Sequence, residues 1–186
     1  MNLTEGIKTR SSIGKLSPEP LDRETISSLI EAAIQAPNHH LTEPWRFFVL
    51  TGDALDELGE VMENALVEQK PDASPDERAR ERAKPLRAPV IIAVTAEAGS
   101  DAVETIENFA ATAAAVENLL LAAHDVGLGA HWRTGPTAYA PAAKKWLGIS
   151  ETSAIVAFVY LGHPAMNPKP RHRTDPSVKT VWMGSG

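Results

Sequence analysis

The sequence predicts an α+β chain in which one sheet is wrapped by helices. Three observations carry that expectation. Several long segments place apolar residues at helical spacing, short β-branched runs stand singly between them, and no strand–helix–strand period or internal repeat recurs. At 186 residues the chain suits one domain, residues 1–186, with room for one core.

The elements follow in order. Ile26, Leu29, Ile30, Ala33 and Ile34 share a helical face between Asp22, a capping residue, and Pro37, which ends the run. The loop APNHHLTEP, residues 36–44, is polar and stiffened by two prolines, so it suits either a binding loop or a turn. After it, Trp45, Phe47 and Val49 alternate with Arg46, Phe48 and Leu50, a strand expected to be buried on both faces. Asp53 opens a second amphipathic helix through Leu55, Leu58, Val61, Met62, Ala65 and Leu66. Residues 69–88, QKPDASPDERARERAKPLRA, carry charge and proline without an apolar stripe. They read as a mobile excursion holding at most a short polar helix, compatible with a solvated connector or a lid.

PVIIAVT, residues 89–95, is a strand for the middle of the sheet. Asp101 to Val126 is a helix apolar around most of its circumference, hence central or at a subunit interface. GLGAHWRTGP, residues 127–136, predicts a strand and a glycine-bounded turn. A short helix near Pro141 to Leu147 and a strand from Ser153 to Gly162 complete the order.

Composition narrows the chemistry. Hydrophobic content of 43% with 23% charged residues is that of a globular chain, and a net charge of -6 argues against a nucleic-acid footprint. The absence of cysteine removes disulfides, thiolate nucleophiles and iron–sulfur clusters, so redox chemistry would need a bound cofactor. No apolar leader opens the sequence and no stretch is long and apolar enough to span a membrane, which makes the cytoplasm the expected location.

Known site motifs are mostly missing. Gly127-Leu128-Gly129 has two of the three dinucleotide-fold glycines and precedes a strand instead of a helix. There is no phosphate-binding GxxxxGK[ST] loop, no GxSxG elbow and no HExxH. His39 and His40 are adjacent, and neighbouring side chains diverge on a strand or helix, so no metal is expected. Two clusters remain. Arg10, Ser11, Ser12, Gly14 and Lys15 could cradle a phosphate with a guanidinium fork, hydroxyls and backbone N–H groups, although alone they also read as a surface turn. Trp132, Arg133, Thr134 and Gly135 set an indole beside a cation.

Together, RSS at 10–12, APNHHLTEPWRFFV at 36–49, the strand at 89–95 and GLGAHWRTG followed by VAFVYLGHP resemble the flavin-dependent nitroreductase family, in particular its short single-domain branch. The resemblance spans nearly the whole chain in order. It implies a mostly antiparallel sheet wrapped by helices and a homodimer with two flavin mononucleotide (FMN) sites at the subunit interface. Arg10 and Ser12 would hold the phosphate, joined by Arg133, Thr134 and Arg171, with Ser11 between them also counted among the cofactor-binding residues. Gln35, Asn38 and His39 would approach from the other chain, and Trp132 would lie beside the ring. Lys15, one residue from the commoner spacing, would be the cation near the flavin pyrimidine. Ser11 stands where the family often has a second arginine. The implied activity is ping-pong transfer of hydride from NADH or NADPH, through the flavin, to a nitroaromatic, quinone or related small acceptor. No side chain is then catalytic in the bond-breaking sense. A flavin-binding sensor or carrier without turnover is the alternative.

Overall fold

The computed structural model describes residues 2–168 and 172–184; Arg171 lies outside them. A four-stranded sheet of β1 (Trp45–Leu50), β2 (Val90–Ala96), β3 (Gly129–Arg133) and β4 (Ala154–Gly162) runs in the order β1-β2-β4-β3, and every neighbouring pair is antiparallel. Its helices are α1 (Leu3–Thr9), α2 (Arg23–Ala33), α3 (Asp53–Gln69), α4 (Pro75–Arg82), α5 (Ala102–Asp125) and α6 (Pro141–Leu147). The expected α+β architecture is thus present, including the mostly antiparallel sheet that the resemblance implied.

Period-two alternation divides the core. One face of the sheet packs Ile92, Val94 and Val156 against Leu29 of α2 and Val116 and Leu119 of α5. The other packs Ile91, Phe158 and Tyr160 against Leu55, Leu58 and Met62 of α3 and Ala143 of α6. Strand β2 is buried at every position, as its unbroken apolar run requires, and sits between β1 and β4. Helix α5 starts at Asp101, whose carboxylate accepts from the backbone N–H groups of Val103 and Glu104. Asp22 likewise caps α2 through the Thr25 N–H.

Four local expectations change. Strand β1 is an edge strand with Arg46 and Val49 exposed, not one buried on both faces, because no strand among the described residues adjoins its outer side. Helix α1 has no counterpart among the expected elements. The charged segment is a packed element: Ser74 and Glu77 form a reciprocal capping box at the start of α4. Arg82 then clamps α4 to α3 through Glu60 at 2.6 Å and Glu63 at 3.5 Å. Finally, the His39 and His40 rings do not diverge but stack, with centroids 4.0 Å apart, because His40 adopts φ 54°. Leu41 and Glu43 are also left-handed, at φ 54° and 43°. Three such non-glycine residues in one turn constitute real backbone strain.

Close approach of α4 to α3 depends on Gly59, where a Cβ would lie 2.3 Å from the Arg82 carbonyl oxygen. Because the obstacle is backbone, Gly59→Ala is expected to push α4 outward and cost about 1–3 kcal/mol, as overpacking does. Urea unfolding of the variant checks this, and a wild-type midpoint would mean that α4 moves freely.

Candidate functional site

The N-terminal cradle is folded against β3. Ser12 forms a parallel bridge with Ala130, Ile13 N–H donates to the Ala130 carbonyl at 3.0 Å, and Gly14 packs beside the His131 ring. Further along, Leu16 bridges Pro164, and the Lys15 carbonyl accepts from Ala165 N–H at 2.9 Å. A tether of local hydrogen bonds therefore brings together two clusters more than a hundred residues apart in sequence. Arg10, at the C-cap of α1, sends Nε to Glu117 of α5 at 3.2 Å with only 16% of its side chain exposed. Ser11 and Ser12 follow it, half-buried.

Strand β3 lies at the sheet's other edge. Since the Ala130 carbonyl points toward the N-terminal segment, antiparallel alternation turns the N–H and C=O of Trp132 outward too. Among the described residues those two groups have no backbone partner. The Trp132 indole is otherwise engaged: half-buried on the α5 side, it donates from Nε1 to the Val156 carbonyl at 3.0 Å. It anchors the strand from within its own sheet.

Arg133 points to the opposite face. It lines a cleft of about 240 Å³ with Thr134, Thr137, Tyr160, Glu81 and Lys84. Its guanidinium lies 5.1 Å from the Tyr160 ring centroid, and Nη2 is 3.5 Å from His131 Nδ1. The Arg133 Nε is buried without a hydrogen-bond partner, a costly state for a charged donor unless a ligand supplies the acceptor. Burial pushes the Tyr160 hydroxyl up to about 12, against the opposing pull of Arg133 and Arg87, so it stays protonated at neutral pH. Lys84 and Glu81 pair at 2.5 Å on the cleft's far wall. They belong to the segment read as an excursion, and composition alone gave no sign of their role.

Arg10 and Arg133, expected to share one phosphate, are thus separated by the sheet: Arg10 engages α5, and Arg133 the side of α3 and α4. Lys15 does not line the Arg133 cleft but a neighbouring one, with Arg87. Thr134 does line the Arg133 cleft.

The third group sits elsewhere. Asn38 Oδ1 accepts from Glu43 N–H at 3.0 Å, His39 Nδ1 lies 2.7 Å from Glu107 Oε2, and Thr42 donates to the buried Asn108 at 3.0 Å. Gln35 is exposed just past the end of α2, where its side-chain amide donates to the Glu31 carbonyl at 3.3 Å. Glu107 and Glu117 are ten residues apart on α5, so His39 and Arg10 meet that helix at points roughly 15 Å apart. Among the described residues no group of three or more His, Asp or Glu is placed to hold a metal ion, and no helix is long and apolar enough to cross a membrane.

Comparison with known proteins places the chain among relatives of similar sequence and fold. The candidate NAD(P)H nitroreductase YdjA of Escherichia coli K12 is 30% identical over 169 residues, covering 89% of this chain and 90% of its own. A nitroreductase-like family protein from Bacillus cereus superposes with a TM-score of 0.87 at 25% identity, covering 99% of this chain and 97% of that one. A candidate nitroreductase from Desulfovibrio desulfuricans, solved in complex with FMN, gives 0.73 at 26% identity, with 96% and 95% covered. The sequence profile of the nitroreductase family matches residues 7–163, most of the chain, and this chain belongs to that family.

Proposed function

We propose that the protein is an FMN-dependent NAD(P)H oxidoreductase whose flavin lies across the outer edge of β3. The Ser12–Ala130 bridge carries this reading, because it lays an anion cradle against the strand whose other end presents outward peptide groups and the buried Arg133 Nε, which has no hydrogen-bond partner among the described residues. That donor set fits an extended molecule with a phosphate at one end and a planar ring, rich in acceptors, at the other. Similarity to relatives named as NAD(P)H nitroreductases, and to a chain solved with FMN, supports the same reading.

When bound, the flavin supplies the redox chemistry, accepting hydride from NADH or NADPH and passing electrons to a nitroaromatic, quinone or related small acceptor. The chain positions and polarises. Arg10, Ser11 and Ser12 hold the phosphate, with Glu117 orienting the guanidinium. The Trp132 peptide groups and Thr134 hydrogen-bond the ring edge. Arg133 sets positive charge where the ring gains electron density, the role the resemblance gave to Lys15. Tyr160, protonated at neutral pH, offers its hydroxyl as a donor and its ring as a neighbour 5.1 Å from the Arg133 guanidinium.

A second copy of the chain completes the site in this proposal, bringing Gln35, Asn38 and His39 to the flavin. Val103, Ile106 and Phe109 share one face of α5 at 65%, 70% and 45% exposure, and Val181, Trp182 and Met183 are 83–93% exposed. Apolar surface of that extent supports a self-association face.

The test loads the protein with FMN, desalts it, and adds NADPH or NADH without oxygen. Retained yellow colour that bleaches is the expected result. Colour that persists with both donors would point to a sensor or carrier, and loss of all colour on desalting would overturn the flavin site.

A further inference from the structure

Next to the proposed flavin cleft lies a larger cavity of about 550 Å³, lined by Gly14, Lys15, Leu16, Pro18, Leu55 and the stretch from Leu86 to Pro89. That volume is in the range of small-molecule sites. Its lining is largely apolar, no carboxylate among the described residues lines it, and Lys15 and Arg87 reach it from separate segments.

Neither cation has an ion pair among the described residues. The contrast with their neighbours is informative: Arg82 is held by Glu60 and Glu63, and Lys84 by Glu81. Within six residues the chain neutralises two cations and leaves the third, Arg87, open to the cavity. A chain of net charge -6 repels polyanions overall, so a local cationic pocket is where an anionic ligand would be steered.

Both supports are stiff. Lys15 is pinned by the Leu16–Pro164 bridge and by Ser17 N–H donating to the His163 carbonyl at 2.8 Å. Arg87 ends a 3-10 turn that starts at the buried Pro85 and is followed by the buried Ala88 and by Pro89, whose ring packs on Gly162. The cavity also adjoins the Arg133 cleft. Lys84 lines one and Leu86 the other, and Arg87 and Arg133 both act electrostatically on Tyr160.

We propose that this cavity receives the adenosine end of the nicotinamide donor, with Lys15 and Arg87 clasping its 2′-phosphate, so that the protein takes NADPH in preference to NADH. The inference rests on the flavin-reductase reading of the adjoining cleft. A purine face suits the floor of Leu16, Leu55 and Leu86, and a phosphate monoester carries the charge that two unpaired cations match.

Calorimetric titration with adenosine 2′,5′-bisphosphate and with ADP tests the pocket without turnover, on protein with and without FMN. Preference for the bisphosphate of about tenfold or more is expected, weakening about tenfold in Arg87→Gln and in Lys15→Gln and partly restored in Arg87→Lys. In the FMN-loaded enzyme Arg87→Gln should raise KM for NADPH about tenfold while leaving kcat and the KM for NADH unchanged. Equal affinity for the two probes, or variants that bind the bisphosphate as wild type does, would overturn the proposal. Equal weakening of both probes would move the cations to the pyrophosphate and likewise overturn it. Because the probes bind without electron transfer, failure of the flavin reading alone would appear as intact probe binding with no bleaching.

Discussion

Arg10→Gln is expected to lose FMN on desalting, its dissociation constant rising about 10- to 100-fold, the equivalent of the roughly 1.5–3 kcal/mol that hydrogen bonds to a charged group contribute. The side chain is mostly buried and already aimed by Glu117, so little ordering accompanies phosphate binding. Substitution removes the guanidinium fork and also leaves the Glu117 carboxylate facing the phosphate position without its partner. Arg10→Lys, which keeps charge without the fork, should fall between the two. Glu117→Gln should retain FMN, since it removes a like charge near the phosphate and keeps an oxygen acceptor for Arg10. Flavin fluorescence titration of the three variants decides the matter. Wild-type affinity in Arg10→Gln would remove the cradle from the site.

The largest expected loss of stability is at Phe158. It is 1% exposed at the centre of β4, opposite Ala93 on one side and Arg133 on the other. Its neighbours on both strands are fixed by ladder hydrogen bonds, so the space left by Phe158→Ala cannot close, and the cost should be about 3–5 kcal/mol. The same ring forms part of the Arg133 cleft, so the new void opens toward solvent there. Phe158→Leu, which keeps most of the volume, should cost under about 1.5 kcal/mol. Guanidinium unfolding monitored by tryptophan fluorescence separates the two. A loss below about 1 kcal/mol in the alanine variant would mean that the sheet relaxes around the site.

Period and punctuation made most of the fold legible. Asp22, Asp53 and Asp101 mark the starts of α2, α3 and α5, and β2 follows from its unbroken β-branched run. Helix α1 was not legible because it buries only Gly6. It is held from outside, by the contacts of Thr9 with His124 and of Arg10 with Glu117. WRFFVL reads alike for an edge or a central strand, since strand order depends on distant partners. The stacked histidines depend on a left-handed backbone at His40, for which a non-glycine sequence offers no signal.

The site was legible in its ingredients and not in its assembly. Both basic clusters were recognisable, but nothing local announces the Ser12–Ala130 bridge that joins them. The opposite facing of Trp132 and Arg133 was accessible, because adjacent residues on a strand point to opposite sides. Lys84 and Glu81 were hidden by composition: charges on a short polar helix look solvated until the helix is seen to wall a cleft.

The turn at His40, Leu41 and Glu43 sets a limit on how this protein can be toughened. Glycine at Leu41 or Glu43 would relieve on the order of 1 kcal/mol of left-handed strain at each position. The same exchange would let the histidine-bearing loop sample many shapes where it now holds one. A selection for heat resistance alone would therefore drift toward glycine there and return a hardier chain with a blunter grip on whatever that loop meets.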